Sequence, residues 1–204
     1  MKPTIHAKRW TALGAAAMLG MTGAMGAAQA QMSKEDRMEK AREWVNKEFT
    51  PGSISKEQMM KEMEFFIEAS EPYRGMEVDV VSETIATHVY ESNTLAKAFN
   101  QITGMEVNHD TIGEGELVSK VQTELQSERT IYDAYINDSD LIGTHYRYGK
   151  TVPLSKWIKN GASDVTSPYL DVDDFIGKSF TTAPNGVMYQ LPDQQFANLY
   201  WFRY

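Results

Sequence analysis

Several polar side chains follow two stretches of this chain that have the pattern of β-strands, and their types suit the binding of hydroxyl groups. The two stretches span residues 76–81 and 131–136. The candidate ligand-binding residues that follow them are Ser82, Glu83, Thr84, Asn137, Asp138 and Asp140. Carboxylate oxygens accept hydrogen bonds from hydroxyls, often two at once, and their charge strengthens those bonds. The chemistry that these residues predict is the binding of a small polyol or sugar.

The segment from Asn137 to Asp140 also resembles the start of a calcium-binding loop. With Asp138 at the first position of that loop, the fifth position would be Ile142 and the twelfth Gly149. Neither side chain is a calcium ligand, so the segment is not an EF-hand. A helix N-cap is the structural alternative to ligand binding, since Asn, Asp and Ser accept hydrogen bonds from free backbone N–H groups.

The sequence predicts no metal and no cofactor. The chain has no Cys, and its four histidines lack the HxxxH or HExxH spacing of zinc sites. Gly113 and Gly115 lack the third small residue of a dinucleotide-binding loop. Asp171, Asp173 and Asp174 fit the cap of a short helix better than a metal cluster.

No arrangement typical of nucleophilic catalysis is visible, so we expect a binding protein and not an enzyme. The segment 177–181 fails as a nucleophile elbow, because Thr181 stands where that motif has Gly. The alternative is an exported carbohydrate-active hydrolase with two of Glu83, Asp138 and Asp140 as acid and base. Glycoside hydrolysis needs two carboxylates about 5–9 Å apart, and loops at one sheet edge could supply them.

Hydrophobic spacing predicts the elements that would position these residues. Strands are expected over 76–81, 105–109 and 131–136, with helices over 89–103 and 114–127 between them. This alternation predicts an α/β fold with a mostly parallel sheet flanked by helices, whose carboxyl ends meet at one edge. Shorter helices are expected over 139–146 and 171–177, and extended segments over 186–191 and 197–204.

Two charged helices are predicted before this domain, over residues 33–48 and 55–69. Ser55 followed by Gln58 fits a capping box at the start of the second helix. The two helices form the expected helical N-terminal extension over 31–74.

The first thirty residues have the order of a secretory signal peptide. A basic start is followed by an uncharged apolar run over 11–27, and small residues at Ala28 and Ala30 mark a cleavage site after Ala30. A transmembrane anchor is the competing interpretation, although the run is short and weakly hydrophobic. The periplasm is therefore the expected location.

The charge balance excludes some partners. Loss of residues 1–30 removes three basic residues and no acidic ones, which leaves 17 Lys and Arg against 28 Asp and Glu, a net charge of −11. Such a chain repels nucleic acid and anionic lipid surfaces, so we expect no nucleic-acid or membrane-surface partner. The remaining length is enough to bury one core.

The last residues, 199–204, are aromatic and strand-prone. Natural termini are usually polar and loosely held, so we expect the protein to continue beyond Tyr204. A terminus docked as a final strand is the alternative. Gln194 and Trp201, close to this end, are further candidates for hydrogen bonding and for ring packing against a sugar.

With these features in view, the chain resembles the periplasmic solute-binding proteins of carbohydrate-type ABC importers, extracellular solute-binding protein family 1. It looks closest to members linked to glycerol and related polyols. The segments that carry the resemblance are MEVDVVSET at 76–84, LAKAFNQITG at 95–104, YDAYINDSD at 132–140, VPL at 152–154, NGVMYQLP at 185–192 and FANLYWFRY at 196–204.

The resemblance implies a periplasmic-binding-protein-like fold with two lobes joined by a hinge, and a ligand held in the cleft between them. Residues 75–204 would supply the first lobe, and the second lobe would lie beyond this chain. The implied partners are a small polyol or sugar and the membrane permease subunits of the transporter, with the binding protein itself a monomer. A structural periplasmic protein that uses the methionines of the helical extension is a third interpretation.

Overall fold

The computed structural model describes residues 32–49, 54–127, 129–138 and 141–193. The predicted signal peptide over 1–30 and the predicted terminal strand over 197–204 lie outside these ranges.

The chain begins with the two expected helices, α1 at Lys34–Lys47 and α2 at Lys56–Ala69. The side chain of Ser33 accepts a hydrogen bond from the backbone N–H of Asp36, and the side chain of Ser55 accepts one from the backbone N–H of Gln58. Each serine thereby satisfies one of the free donors at a helix start, as the sequence predicted for Ser55.

A three-stranded parallel sheet follows, which confirms the mixed α/β class. Its strands are β1 at Glu77–Glu83, β2 at Glu106–Ile112 and β3 at Ala134–Tyr135. Their order is β2-β1-β3, with β1 paired in parallel to both neighbours. The chain therefore leaves β1 toward one side for β2 and returns to the other side for β3.

The first crossover has three parts: α3 at Ala86–Tyr90, a π-helix at Glu91–Leu95 and α4 at Ala96–Thr103. The sequence predicted one regular helix over 89–103 and did not show the π-helix. In that segment the Ser92 hydroxyl donates to the carbonyl oxygen of His109 over 2.8 Å, which fixes the crossover to β2. Gly104 ends α4 with a φ of 79°, a left-handed conformation that glycine adopts without strain, as predicted for a helix cap.

The second crossover contains α5 at Glu114–Gln126, which covers one face of the sheet. Its inward residues were predicted from their spacing, and three of them form a buried cluster with β1. The cluster contains Val81, Leu117, Val121, Leu125 and Leu141. Burial of side chains of this size contributes about 1.5–3 kcal/mol each to folding.

The strand β3 is shorter than the segment 131–136 that the sequence predicted. The Asp133 carboxylate accepts a hydrogen bond from the backbone N–H of Asp79, so a side chain occupies a position that a strand carbonyl would take. The backbone N–H of Ile136 still donates to Val81, so the segment continues along β1 beyond its two strand residues.

After β3 the chain forms α6 at Ile142–Tyr148 and α7 at Leu154–Asn160 and then becomes largely irregular. The helix predicted over 171–177 is wrong, because the Asp171 carboxylate accepts the backbone N–H of Asp173 and makes a local turn instead. A short 3-10 helix follows at Lys178–Thr181. The predicted strand over 186–191 is reduced to one bridge between Thr182 and Met188.

The two N-terminal helices pack onto the first crossover helix, α4. Ala41, Ile67 and Ile102 form the centre of this second cluster, one from each helix. Arg37 is buried beside Gly104, and its guanidinium occupies space that a Cβ at this glycine would need. The helical extension therefore shares a packed interface with the α/β domain.

Candidate functional site

A cleft of about 1160 Å³ opens at the carboxyl edge of the sheet. Its wall includes Glu83, the last residue of β1, and the residues that follow β3. In a sheet of order β2-β1-β3, the first crossover runs from β1 to β2 and the second runs back from β2 past β1 to β3, so a crevice forms between the ends of β1 and β3. The cleft therefore lies where open parallel sheets bind their ligands.

Three of the sequence-derived candidates lie in this wall: Glu83, Asn137 and Asp138. The side chain of Asn137 accepts a hydrogen bond from Gln190 Nε2 over 3.3 Å. This bond joins the loop after β3 to the irregular segment that forms the opposite side of the cleft.

Ser82 and Thr84 are not in the described wall of the cleft. Ser82 is fully buried on the other face of the sheet, and its Oγ lies 2.7 Å from His109 Nε2. Thr84 is exposed, and its hydroxyl donates to the carbonyl oxygen of Ile112. Alternate residues of a strand point to opposite faces, so Ser82 packs beneath the first crossover while Val81 packs against α5. We leave both residues out of the binding set.

The remaining candidates Asp140, Gln194 and Trp201 lie outside the described residues.

The structure adds polar residues to the wall that the sequence did not single out. Glu124, Thr151 and Gln190 line the cleft, and each has a buried side-chain oxygen with no hydrogen-bond partner among the described residues. A buried acceptor without a donor costs about 1–3 kcal/mol. Glu124 lies on α5, and its spacing in the sequence is that of an ordinary polar residue on a helix. Only the packing of α5 in the fold shows that this residue lines the cleft.

Aromatic rings complete the wall, among them Tyr132, Tyr135, Phe180 and Tyr189. The Tyr135 hydroxyl lies 3.3 Å from His145 Nδ1, and burial raises the pKa of Tyr135 well above its ordinary value. This tyrosine therefore stays neutral at physiological pH and keeps its hydroxyl as a hydrogen-bonding group.

A histidine and two carboxylates lie close together beside this cleft, and two of these residues, His88 and Asp193, line its wall. His88 is buried on α3, and its Nε2 lies 3.6 Å from Asp193 Oδ2. The third residue of this group is Glu91. Each of the three residues offers one ligand atom, and these three atoms all lie within 4.8 Å of one another. Burial, followed by the charge of Asp193, raises the pKa of Glu91, and His88 offsets part of this effect.

Comparisons with protein-family models, curated proteins and solved structures found no match to this chain. Within the described ranges, no helix combines the length and the apolar character needed to cross a lipid bilayer.

Proposed function

We propose that this protein is the solute-binding component of an ABC importer and that its cleft takes a small polyol or sugar. The observation that carries the proposal is the set of three buried, partnerless oxygens of Glu124, Thr151 and Gln190 in one cleft. These oxygens lie just beneath the surface of the wall, and a ligand rich in hydroxyl groups would supply the donors that they need once their side chains turn into the cleft.

The other polar groups of the wall support the same class of ligand. The cleft is lined at the ends of β1 and β3 by Glu83, Asn137 and Asp138, whose side chains carry carboxylate and amide oxygens. Hydroxyl donors make stronger hydrogen bonds to carboxylates than to neutral acceptors, and a polyol can give two hydroxyls to one carboxylate. The wall contains five acidic residues against two basic ones, so its net charge disfavours anionic ligands.

Tyrosine rings suit the apolar surface of a sugar or polyol. Tyr132 and Tyr135 are partly buried against the core cluster and also line the cleft. Ligand sites combine such apolar walls with a few polar groups that set orientation. The ligand would pack its C–H groups on the rings and direct its hydroxyls to the oxygens.

The transport role rests on the sequence. The signal-peptide pattern and the resemblance to periplasmic solute-binding proteins support a periplasmic location, a membrane permease as partner and a fold with a second lobe. The described α/β domain would be the first lobe of that fold.

The first test is thermal unfolding of the purified protein with glycerol, glycerol 3-phosphate, other polyols and common sugars. A ligand at a hundredfold excess over its Kd adds about 2.7 kcal/mol to stability. We expect one compound to raise Tm saturably and to be recovered unchanged. Loss of a glycoside during incubation would instead support the hydrolase interpretation, and no shift with any compound would contradict the polyol proposal.

Glu124 offers a matched pair of variants for this test. Glu124→Gln replaces a carboxylate oxygen of the wall, whereas Glu114→Gln changes an exposed residue in the first turn of the same helix. We expect the first variant to weaken solute binding by about 1–3 kcal/mol, the usual effect of a lost bond to a charged group. The second variant should leave binding unchanged.

A further inference from the structure

The sequence predicted no metal site. The fold nevertheless brings together three side chains that can bind a metal ion, and the spacing of these residues in the sequence does not indicate that they meet. His88 and Glu91 are three residues apart at the start of the first crossover, and Asp193 arrives from the far end of the described chain. We propose that His88 Nε2, Glu91 and Asp193 bind a divalent transition-metal ion of the Zn²⁺ class. This inference goes beyond the proposed solute and does not depend on it.

The orientation of His88 favours metal binding. Its Nδ1 lies 2.9 Å from the main-chain carbonyl oxygen of Glu83. A carbonyl only accepts, so Nδ1 carries the proton, and in the neutral ring Nε2 is the atom with the lone pair. Metal-binding histidines are commonly held in this way by a backbone carbonyl, which fixes the tautomer and the ring orientation.

The distances are close to those that zinc requires. In a tetrahedral site with bonds of about 2.0–2.2 Å, two ligand atoms lie about 3.4 Å apart. His88 Nε2 and Asp193 Oδ2 are 3.6 Å apart, and the remaining separations do not exceed 4.8 Å. Small side-chain rotations of Glu91 and Asp193 would bring the three ligand atoms to these distances. Both side chains have room to rotate, because both residues are at least partly exposed.

The donor types select the metal class. One imidazole nitrogen with two carboxylate oxygens suits Zn²⁺ and its transition-metal neighbours, while Mg²⁺ and Ca²⁺ prefer oxygen ligands alone. Two carboxylates near one another also repel, and a cation between Glu91 and Asp193 removes that repulsion. Three protein ligands leave one position of a tetrahedral site, which a water or an oxygen of a cleft ligand can fill.

The local backbone is consistent with a functional site. The π-helix begins at Glu91, directly after the helix that carries His88. π-Helical turns occur frequently at functional sites because they reposition side chains at some loss of helix stability.

The test is a titration of the purified protein with ZnCl₂, MgCl₂ and CaCl₂ after treatment with a chelator, in the absence of any solute. We expect saturable one-to-one binding of Zn²⁺ and much weaker binding of Mg²⁺ and Ca²⁺. Glu91→Gln and Asp193→Asn should each weaken Zn²⁺ binding at least about tenfold, since even loss of an outer-shell partner reduces metal affinity about 10–100-fold. Glu39→Gln and Asp174→Asn, at exposed residues, are the matched controls and should bind Zn²⁺ as the unmodified chain does.

Histidine NMR provides a second readout that needs no variant. Zn²⁺ should shift the Nε2 resonance of one imidazole whose Nδ1 is protonated. Absence of saturable Zn²⁺ binding, equal binding of Mg²⁺ or Ca²⁺, or Zn²⁺ binding that the two ligand variants leave unchanged would each overturn the proposal. Because no solute is present, these outcomes are separate from the outcome of the solute screen.

Discussion

The imidazole of His88 donates its Nδ1–H to the main-chain carbonyl oxygen of Glu83 over 2.9 Å, and Glu83 is also one of the residues that line the cleft. One residue thus serves two neighbouring sites through different atoms. Its backbone orients the histidine of the proposed metal site, and its carboxylate belongs to the proposed solute site.

A substitution of the Glu83 side chain should therefore separate the two activities. In Glu83→Gln the carbonyl that holds His88 is retained, and the carboxylate charge offered to a solute hydroxyl is lost. We expect solute affinity to fall by about 1–2 kcal/mol, or roughly 5–30-fold, with Zn²⁺ affinity within about twofold of the unmodified chain. Calorimetric titration with each ligand measures both numbers, and a parallel loss of both would contradict the separation.

Glu91→Gln should have opposite effects on metal binding and on the stability of the metal-free protein. The folded-state pKa of Glu91 is raised, first by burial and then by Asp193, so its ionised form is disfavoured in the fold. The stability that this group contributes is present at low pH and is lost as the pH rises through the folded pKa. At neutral pH, removal of the charge should raise Tm when a chelator is present.

The control for this stability effect is Glu39→Gln, at an exposed position on α1. Its Tm should match that of the unmodified chain within error. A lower Tm for Glu91→Gln in chelator would show that the carboxylate is stabilising, against the direction of its pKa shift.

His109 should make stability depend on pH near neutrality. Burial, with a smaller effect of His88, lowers the pKa of His109 below its ordinary value of 6.5, although Asp110 and Asp193 act in the opposite direction. The unfolded chain therefore binds the proton more readily, so stability is full above about pH 6.5 and falls as the pH drops toward the folded pKa. Urea unfolding in chelator between about pH 7.5 and 5.5 measures this slope.

His109→Gln isolates the contribution of the histidine. Glutamine keeps a polar partner for the Ser82 hydroxyl but does not titrate, so the loss of stability over this pH range should be smaller than in the unmodified chain. Identical pH profiles for the two proteins would show that other groups cause the slope.

Gly104→Ala should destabilise the contact between the helical extension and the α/β domain. The backbone of Gly104 has a φ of 79°, and a Cβ there would lie 2.5 Å from an Arg37 guanidinium nitrogen. A left-handed conformation alone costs a non-glycine residue about 1–2 kcal/mol, and the displaced guanidinium adds to that penalty. We expect a loss of at least about 1 kcal/mol in the free energy of unfolding.

Gly115→Ala is the matched control, and we expect it to change the free energy of unfolding in the opposite direction. Gly115 lies in the first turn of α5, and a Cβ there would meet nothing within 4 Å. Alanine is favoured over glycine in helices, so we expect this variant to gain up to about 1 kcal/mol. Equal effects of the two substitutions would contradict the role assigned to the Gly104 turn.

The sequence was sufficient for the elements whose apolar spacing is regular. The face of α5 that contains Leu117 and Val121, the glycine cap at Gly104 and the parallel alternation of strands all follow local rules that the fold obeys. Local rules did not predict the places where a side-chain carboxylate, and not a backbone carbonyl, accepts a hydrogen bond from a backbone N–H. The Asp133 carboxylate shortens β3, and the Asp171 carboxylate makes a turn where a helix was predicted.

The candidate site was only partly visible for a similar reason. Strand ends mark the carboxyl edge of a sheet, so Glu83, Asn137 and Asp138 could be named from their positions. Alternation along β1 buries Ser82, one residue before the edge. The place of Glu124 depends on how α5 packs, and the meeting of His88 with Asp193 depends on the path of the whole chain.

The two sides of the cleft differ in how they are held. The β1–α5 side rests on a buried core, whereas the irregular side is fixed near Met188 by two bonds to Ser155, one to its backbone and one to its hydroxyl. Segments with few such bonds open by local unfolding far more often than a core does. Amide protons on the irregular side should therefore exchange with solvent well before those of β1, and a bound solute would slow that exchange on one side of the cleft only.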